Sequence, residues 1–303
     1  HRKHFQAEVQ RLFRYDLQHI PTVAWHEDAA IAKALKEPAV VVCNHQSMLD
    51  AAIVMALSPR LLIVANERAS LNPVIRKVFD WFGHIRLVNS QALNVQLLQQ
   101  ALAEGYSIVL FPEGERNAHS SILRFHKGAF HVAEMLQVDV VPLLLHGVNE
   151  VLPRNSWCAF AGKITVDMGQ RILAADATWG EDYVVRTKRV HQYYVDWYRE
   201  VAEQIETADY YRRLTLDKYR FKGVDVMREV KHNLRKFANY AAWVDTPCTA
   251  QRVAVLNSGW GEFALLFALT HRHIEVIAVE DDAGKTQLAR YVADGLSLKW
   301  QAI

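Results

Sequence analysis

The sequence predicts an α/β protein in which a mainly parallel or mixed sheet is flanked by helices. Short apolar runs such as AVVVCN (residues 39–44) and DVVPLLLHG (139–147) are typical of strands buried on both faces. Segments with helical apolar periodicity, such as 95–105, separate these runs. Polar residues follow the strands directly, at the edge where sheets of this class carry their chemistry.

The predicted elements alternate along the chain. The first twenty residues predict an amphipathic helix, which either docks on the fold or lies on an anionic membrane. After it, the pattern predicts strands at 39–44, 60–66, 85–89, 106–111 and 139–147, and helices at 47–57, 73–83, 95–105 and 127–136. From about Glu181 to Val244 the pattern is helical and charged, with a break at Gly223.

We therefore predict three segments: an α/β domain at 1–205, a helical linker at 206–250 and a partial Rossmann-like βαβ unit at 251–303. The last segment has room for two strands, two helices and the start of a third strand in LKWQAI. A complete domain of that class needs two βαβαβ halves. We expect the unit to be truncated or vestigial. The opening HRKHF, without an initiator Met, also suggests a segment of a longer protein.

Composition excludes several classes of function. A net charge of +2 implies no field for polyanions, so nucleic acid is not favoured. The three cysteines, Cys43, Cys158 and Cys248, lie far apart, which argues against a disulfide framework and against a zinc site. Cys43 lies in an apolar run and is expected in the core rather than as a nucleophile. No apolar run reaches the ~18–20 residues of a membrane-spanning helix.

The segment NHQSMLD places His45 and Asp50 at the end of the first buried strand. If Ser47 begins a helix, Ser47 and Asp50 form a pair similar to a capping box, and the carboxylate only satisfies backbone N–H groups. Alternatively, His45 precedes the helix and folds back over its first turn. Asp50 then holds one ring nitrogen while the other acts as a general base. Both interpretations remain open at this point.

A second motif, FPEGER at 111–116, is predicted at the end of another strand. Proline and glycine favour a tight turn there, and Arg116 offers a planar guanidinium to a phosphate or carboxylate. The alternative is an ordinary turn with solvated charges.

Together these motifs resemble the lysophospholipid, or glycerophospholipid, acyltransferase superfamily, whose members include the 1-acylglycerol-3-phosphate acyltransferases. Residues 44–50 match its first motif, NHxSxxD, and residues 111–116 match its third, FPEGxR. FHKGAF, which contains Lys127 and Gly128, and VVPLLLHG, around Pro142, resemble two further segments in the expected order. The resemblance covers roughly residues 20–200.

The resemblance implies transfer of a fatty acyl group from acyl-CoA or an acyl-carrier protein to a hydroxyl of a lysophospholipid or related lipid. His45 would be the general base and Asp50 would orient it, with no acyl-enzyme, cofactor or metal required. Glu113 and Gly114 would shape the acceptor site, and Arg116 would bind the acceptor's phosphate. The implied substrate-binding residues are Asn44, Ser47, Glu113, Gly114, Arg116 and Lys127.

The second motif of the family departs from its pattern in this chain. Asn89 stands where the family has an arginine that helps to hold the phosphate, and Asn66 stands where it has a lysine. Arg86 or Arg68 would have to compensate. The acceptor is therefore either a phosphorylated lysolipid or a phosphate-free alcohol or aminolipid.

The segment AVLNSGWGEFA resembles the glycine-rich motif of class I S-adenosylmethionine methyltransferases. The resemblance implies cofactor binding by Gly259, Gly261 and Glu280, although Asn257 replaces the first glycine and Val255 the preceding acid. A methyltransferase is thus a second hypothesis, and a non-catalytic lipid-binding module is a third.

The order of the domains resembles the end of large bacterial proteins that also carry an MMPL-type lipid transporter. That resemblance implies a location at the cytoplasmic face of the inner membrane, either peripheral or tethered through an upstream domain. The expected partners are the acyl donor, the lipid acceptor and the membrane surface.

Overall fold

The computed structural model describes residues 2–20, 22–65, 77, 80–117, 121–153, 159–236, 248–294, 296 and 298–303. It divides into two compact units, one formed by His1–Arg154 and Lys163–Arg199 and the other by Asn155–Gly162 and Glu200–Ile303. Asn66, Arg68, Cys158 and most of the helix predicted at 73–83 lie outside the described residues.

The first unit contains a seven-stranded mixed sheet with the order β1-β7-β6-β2-β5-β3-β4. Strands β6, β2, β5, β3 and β4 run parallel, and β7 runs antiparallel to β6, so the predicted mixed sheet is confirmed. The edge strand β1 and its neighbour β7 are additions that the sequence did not predict. The strands are Val23–Glu27 (β1), Val40–Cys43 (β2), Leu61–Ala65 (β3), Ile85–Arg86 (β4), Ser107–Leu110 (β5), Val140–His146 (β6) and Gly162–Met168 (β7).

Helices cover both faces of this sheet. They are Arg2–His19 (α1), Ile31–Ala34 (α2), Leu49–Leu57 (α3), Gln91–Ala103 (α4), Gly128–Leu136 (α5), Val148–Val151 (α6) and Tyr183–Ile205 (α7), with a 3₁₀ turn at Ala177–Trp179. Helix α1 packs against α3, buries Leu17 in the core and donates from the Gln10 side chain to Ala56 O at 3.2 Å. It is thus a docking helix.

The helices that follow β2 and β5 lie on opposite faces of the sheet. Helix α3 packs Ile53 and Val54 into the same core as Cys43, which is fully buried as predicted. Helices α4 and α5 contribute to the opposite core, around Leu62 and Ile108. Because β2 and β5 are neighbours whose connections leave in opposite directions, a crevice opens at their carboxyl ends.

The pairing between β2 and β6 is bridged by side chains at this same edge. The Tyr194 hydroxyl, from α7, donates to Val42 O at 2.5 Å and accepts from Leu143 N at 2.9 Å. A regular parallel ladder would join those two backbone groups directly. Further along, the Asn44 carboxamide accepts from Leu145 N at 2.7 Å and donates to Leu145 O at 2.9 Å. Strands β2 and β6 stay in register as far as Cys43 and Leu143, and these two side chains add hydrogen bonds between the strands at the point where the site begins.

The second unit contains a three-stranded parallel sheet with the order β10-β9-β8. Its third strand lies in the predicted segment LKWQAI. Its elements are Ala208–Lys218 (α8), Val224–Lys236 (α9), Arg252–Leu256 (β8), Glu262–Thr270 (α10), Glu275–Val279 (β9), Ala283–Ala293 (α11) and Trp300–Ala302 (β10).

The segment predicted as a linker contributes two helices to the core of this second unit. Leu214 of α8 and Leu234 of α9 pack with Leu265 and Leu269 of α10. The predicted division into functional domains remains a prediction, but α8 and α9 belong to a packed core. None of the helices within the described residues is long and apolar enough to cross a membrane.

We predict that Tyr194→Phe destabilises the first unit, because it leaves the buried Leu143 N–H and Val42 C=O without their shared partner. The expected cost is roughly 1–3 kcal/mol for each unpaired group. The measurement is the free energy of unfolding by denaturant. Tyr183→Phe, at the start of the same helix, is the matched control and should change little. Equal stability of the two variants would contradict the role of this hydroxyl.

Candidate active site

The main chain of His45 is held on both sides by the loop that follows β5. Its N–H donates to Glu113 Oε1 at 2.8 Å, and its carbonyl accepts from Asn117 N at 2.7 Å. His45 itself lies two residues beyond the end of β2. Two neighbouring strands thus fix the position of the histidine before its side chain makes any contact.

The imidazole of His45 is oriented by two further contacts. Its Nδ1 lies 2.7 Å from Asp50 Oδ2, and its ring stacks on Phe111 with centroids 4.4 Å apart. The carboxylate only accepts, so Nδ1 carries the proton and Nε2 retains a lone pair. Within the described part of the chain Nε2 has no hydrogen-bond partner, and 23% of the side chain is exposed. The ring is therefore fixed, with one nitrogen available as a base.

Asp50 is fully buried in the first turn of α3 and collects three hydrogen bonds on one oxygen. Besides the His45 ring, Oδ2 accepts from Gln46 N at 2.6 Å and from Ser47 N at 2.9 Å. The carboxylate thus bonds both to free backbone N–H groups and to the histidine ring, and the role of His45 as a general base stays a prediction. The N-cap position falls on Met48 rather than on Ser47.

The polar atoms of Asn44 and Ser47 have partners within the fold, and the substrate contacts that the resemblance implied for them stay a prediction. Both carboxamide atoms of Asn44 bind the backbone of Leu145. Ser47 Oγ donates to Leu152 O at 2.6 Å and accepts from Leu49 N at 3.2 Å. We assign these two buried side chains to the support of the His45 loop.

Gln46, which the sequence analysis did not single out, joins that support. Its side-chain amide donates to the Tyr198 hydroxyl at 3.1 Å, and its carbonyl oxygen accepts from Val148 N at 3.3 Å. Gln46 is almost fully buried and ties the loop to α6 and α7. The family pattern leaves this position variable, so only the structure identifies it.

The Glu113 carboxyl group accepts hydrogen bonds from two backbone N–H groups of the site. Its Oε1 accepts from His45 N, and its Oε2 accepts from Leu123 N at 2.9 Å. Burial raises the pKa of this carboxyl from 4.5 to about 7, although the two N–H bonds lower the pKa and the charges of Asp50 and Glu115 raise it further. Glu113 is thus a positioning residue that holds His45 in place.

The rest of the FPEGER loop forms the outer side of the crevice. Gly114 has a φ of +73° and donates its N–H to Phe111 O at 3.1 Å; a Cβ there would lie 3.0 Å from the His126 ring. Arg116 is half-buried in the same loop, and Lys127 is exposed just before α5. His126 N donates to Pro112 O at 2.7 Å, so the FHKGAF segment is tied directly to this loop.

Asn89 is exposed in the connection between β4 and α4. Of the two arginines expected to compensate for it, Arg86 pairs with Asp80 at 2.8 Å, and Arg68 lies outside the described residues. Strand β4 belongs to the parallel part of the sheet, so Asn89 follows a strand end at the same edge as His45.

The glycine turn of the second unit is built from residues in the left-handed region of backbone conformation. Asn257, Gly259 and Gly261 all have positive φ, of 51°, 59° and 82°. Asparagine tolerates this region better than most residues, which accounts for Asn257 in place of glycine. Glu280, however, accepts from Gly259 N at 2.7 Å and from Asp282 N at 3.3 Å. Its carboxylate is bonded to the turn in this structure.

We predict that ionisation of Glu113 lowers the stability of the fold. Its pKa is about 7 in the folded state against an ordinary value of 4.5, so the buried carboxyl loses its proton at higher pH than an unfolded one. The stabilisation is complete below pH ~4.5 and is lost as pH rises through ~7, by about 3 kcal/mol.

The test is the free energy of unfolding of the wild type and of Glu113→Gln between acidic and mildly alkaline pH. The glutamine cannot ionise, and its amide group faces a backbone N–H donor, so the variant should be less stable at low pH. The difference between the two proteins should narrow as pH rises. A difference that stays constant with pH would contradict the raised pKa.

Known acyltransferases are similar to this chain in sequence. Residues 13–146 match the family model described as Acyltransferase. A 1-acyl-sn-glycerol-3-phosphate acyltransferase of Chlamydomonas reinhardtii is 34% identical over 121 residues, which are 39% of this chain and 36% of that protein. The alpha form of the enzyme from Ovis aries is 27% identical over 175 residues, which are 55% and 60% of the two chains. The chain thus spans about a third to three fifths of these relatives.

A solved structure shows the same fold. The crystal structure of the 1-acyl-sn-glycerophosphate acyltransferase PlsC from Thermotoga maritima aligns with a TM-score of 0.56 at 18% identity, covering 66% of this chain and 80% of that one. The matched family region contains both the His45 motif and the FPEGER loop. The α/β part of the chain is therefore similar in sequence to acyltransferases, and it has the fold of the PlsC structure.

Proposed function

We propose that the chain is an O-acyltransferase that moves a fatty acyl group from the thioester of acyl-CoA or acyl-carrier protein to a hydroxyl of a lysophospholipid or related lipid. The observation that carries this proposal is the 2.7 Å contact between His45 Nδ1 and Asp50 Oδ2 at the crevice between β2 and β5. The pair lies within the region that matches the acyltransferase family.

The chemistry follows from the orientation of the imidazole. Nε2 takes the proton of the acceptor hydroxyl as its oxygen attacks the thioester carbonyl. Asp50 stabilises the imidazolium that forms, because its buried carboxylate accepts from Nδ1. The tetrahedral intermediate then collapses, the C–S bond breaks, and the proton on Nε2 passes to the leaving thiolate. The products are an ester and a free thiol, with no covalent enzyme intermediate.

The acceptor's headgroup would lie beside the FPEGER loop. Arg116 is half-buried there and suits a phosphate or another anion, and Lys127 lies exposed at the segment that His126 ties to this loop. The relatives are named for a phosphorylated acceptor, 1-acyl-sn-glycerol-3-phosphate. Asn89 in place of the family's arginine removes one cation, so a phosphate-free lipid alcohol is the competing acceptor.

The cellular setting is proposed from the substrate class. A lysolipid acceptor implies a membrane surface, and we propose the cytoplasmic face of the inner membrane, with the chain peripheral or tethered through an upstream domain of the MMPL-transporter type. The second unit, with its three parallel strands and glycine turn, would be a partial Rossmann-like module. S-adenosylmethionine binding has weaker support, because the Glu280 carboxylate is bonded to the turn.

We predict that His45→Ala abolishes thiol release from a panel of acyl-CoA and acyl-carrier-protein donors. The panel is combined with either lysophosphatidic acid or a phosphate-free lipid alcohol, so that the preferred acceptor is read in the same assay. Loss of a general base typically lowers the rate about 10²–10⁴-fold. His19→Ala, an exposed histidine on α1, is the control and should retain full activity. Equal turnover by the wild type and His45→Ala would refute the proposal.

A further inference from the structure

The turn between α8 and α9 exposes two apolar side chains that the fold does not use. Phe221 is 81% exposed and Val224 is 76% exposed, the two highest values among the large hydrophobic side chains of the described residues. They flank Gly223, whose φ of +114° ends the turn before α9 begins. Neighbouring exposed apolar side chains mark a site of interaction with a membrane or a protein when polar or charged residues surround them.

Cations continue from this turn along one side of α9. Helical geometry places Val224, Arg228, Lys231 and Arg235 within a strip about 60° wide. All four are exposed, whereas Val230 and Leu234 on the other side are buried in the core.

The acidic residues nearby only partly offset these cations. Arg228 forms an exposed pair with Asp225 at 2.9 Å, and Glu229 accepts from Trp260. Lys231 and Arg235 have no ion-pair partner among the described residues. From Asp217 to Lys236 the sequence carries seven Lys and Arg against three Asp and Glu, a net charge of +4, whereas the whole chain carries +2. This segment is therefore a local concentration of positive charge.

A second helix extends the apolar and cationic character of the turn. The Lys222 ammonium lies 4.0 Å from the centroid of the Tyr291 ring, and Tyr291, on α11, is 62% exposed. Tyrosine and lysine side chains of this kind have apolar bodies and polar tips, which suits the boundary between lipid headgroups and acyl chains.

We propose that the α9 surface, defined as Phe221, Val224, Arg228, Lys231 and Arg235, docks on an anionic lipid bilayer. Phe221 and Val224 enter the boundary between headgroups and acyl chains, and the three cations contact lipid phosphates. Positive charge alone would suit any polyanion. The exposed pair Phe221 and Val224 favours a bilayer, because transfer of these side chains from water into an apolar environment lowers the free energy. The inference deepens the proposed function, since it rests on a lipid acceptor held at a membrane.

The test is co-sedimentation of the full chain with phosphatidylcholine vesicles, prepared with and without phosphatidylglycerol. Lys231→Gln/Arg235→Gln should weaken binding to the anionic vesicles about 25-fold, at roughly fivefold for each charge. Phe221→Ser/Val224→Ser should weaken it by about tenfold or more. Two controls change equally exposed groups elsewhere and should bind as the wild type does: Lys33→Gln/Lys36→Gln and Leu256→Ser.

Three results would overturn this assignment: equal binding of the wild type to neutral and anionic vesicles, unchanged binding by both double variants, or loss of binding in the controls to the same extent. Thiol release with an acceptor dispersed in detergent micelles separates the two proposals, since the double variants should keep that activity. The wild type could lack acyl transfer and still bind vesicles through the α9 surface. That result would refute the proposed function and would support the docking proposal.

Discussion

The site depends on the clamping of one residue, His45, by two neighbouring strand ends. The loop after β5 holds its N–H through Glu113 and its carbonyl through Asn117, while Asp50 holds the ring. A histidine held only through its side chain would have to lose backbone freedom each time it acted as a base. Here that cost is already met by the fold. Asp50 has two roles in this arrangement. The same oxygen accepts from the His45 ring and from the backbone N–H groups of Gln46 and Ser47, which follow His45 in the chain.

Side chains also hold β2 and β6 together beside this clamp. Tyr194 and Asn44 hydrogen-bond to backbone groups of the two strands, so these buried groups are paired at the end of β2. Two buried carboxyls lie at the same edge of the sheet. Asp50 is surrounded by three donors, whereas burial raises the pKa of Glu113 to about 7. The carboxylate that faces the imidazole is thus held by three hydrogen bonds, whereas burial disfavours the charged form of Glu113.

Much of this architecture could be predicted from the sequence, because buried parallel strands and amphipathic helices leave strong periodic patterns. The placement of His45 ahead of α3, with Asp50 in its first turn, also follows from the spacing of the two residues. The roles of Asn44, Ser47 and Glu113 could not be predicted in that way. A buried side chain that binds backbone and one that binds substrate look the same in a motif, since both are polar residues at a strand end. Tyr194 and Tyr198 lie some 150 residues from the atoms they support, and their register is set by packing alone. Strands β1 and β7 have no continuous apolar run, since polar residues interrupt VAWHE and GKITVDM, so their pattern was too weak to recognise.

The most direct measurement of the central claim is the tautomer of His45 in ¹⁵N-histidine-labelled protein, read from long-range nitrogen–proton correlations at a pH where the ring is neutral. His45→Ala identifies the signal. The hydrogen bond from Nδ1 to Asp50 predicts a proton on Nδ1 and an unprotonated Nε2, the nitrogen that accepts the acceptor's proton. A proton found on Nε2 would contradict the account, because the exposed nitrogen would then have no lone pair with which to act as a base.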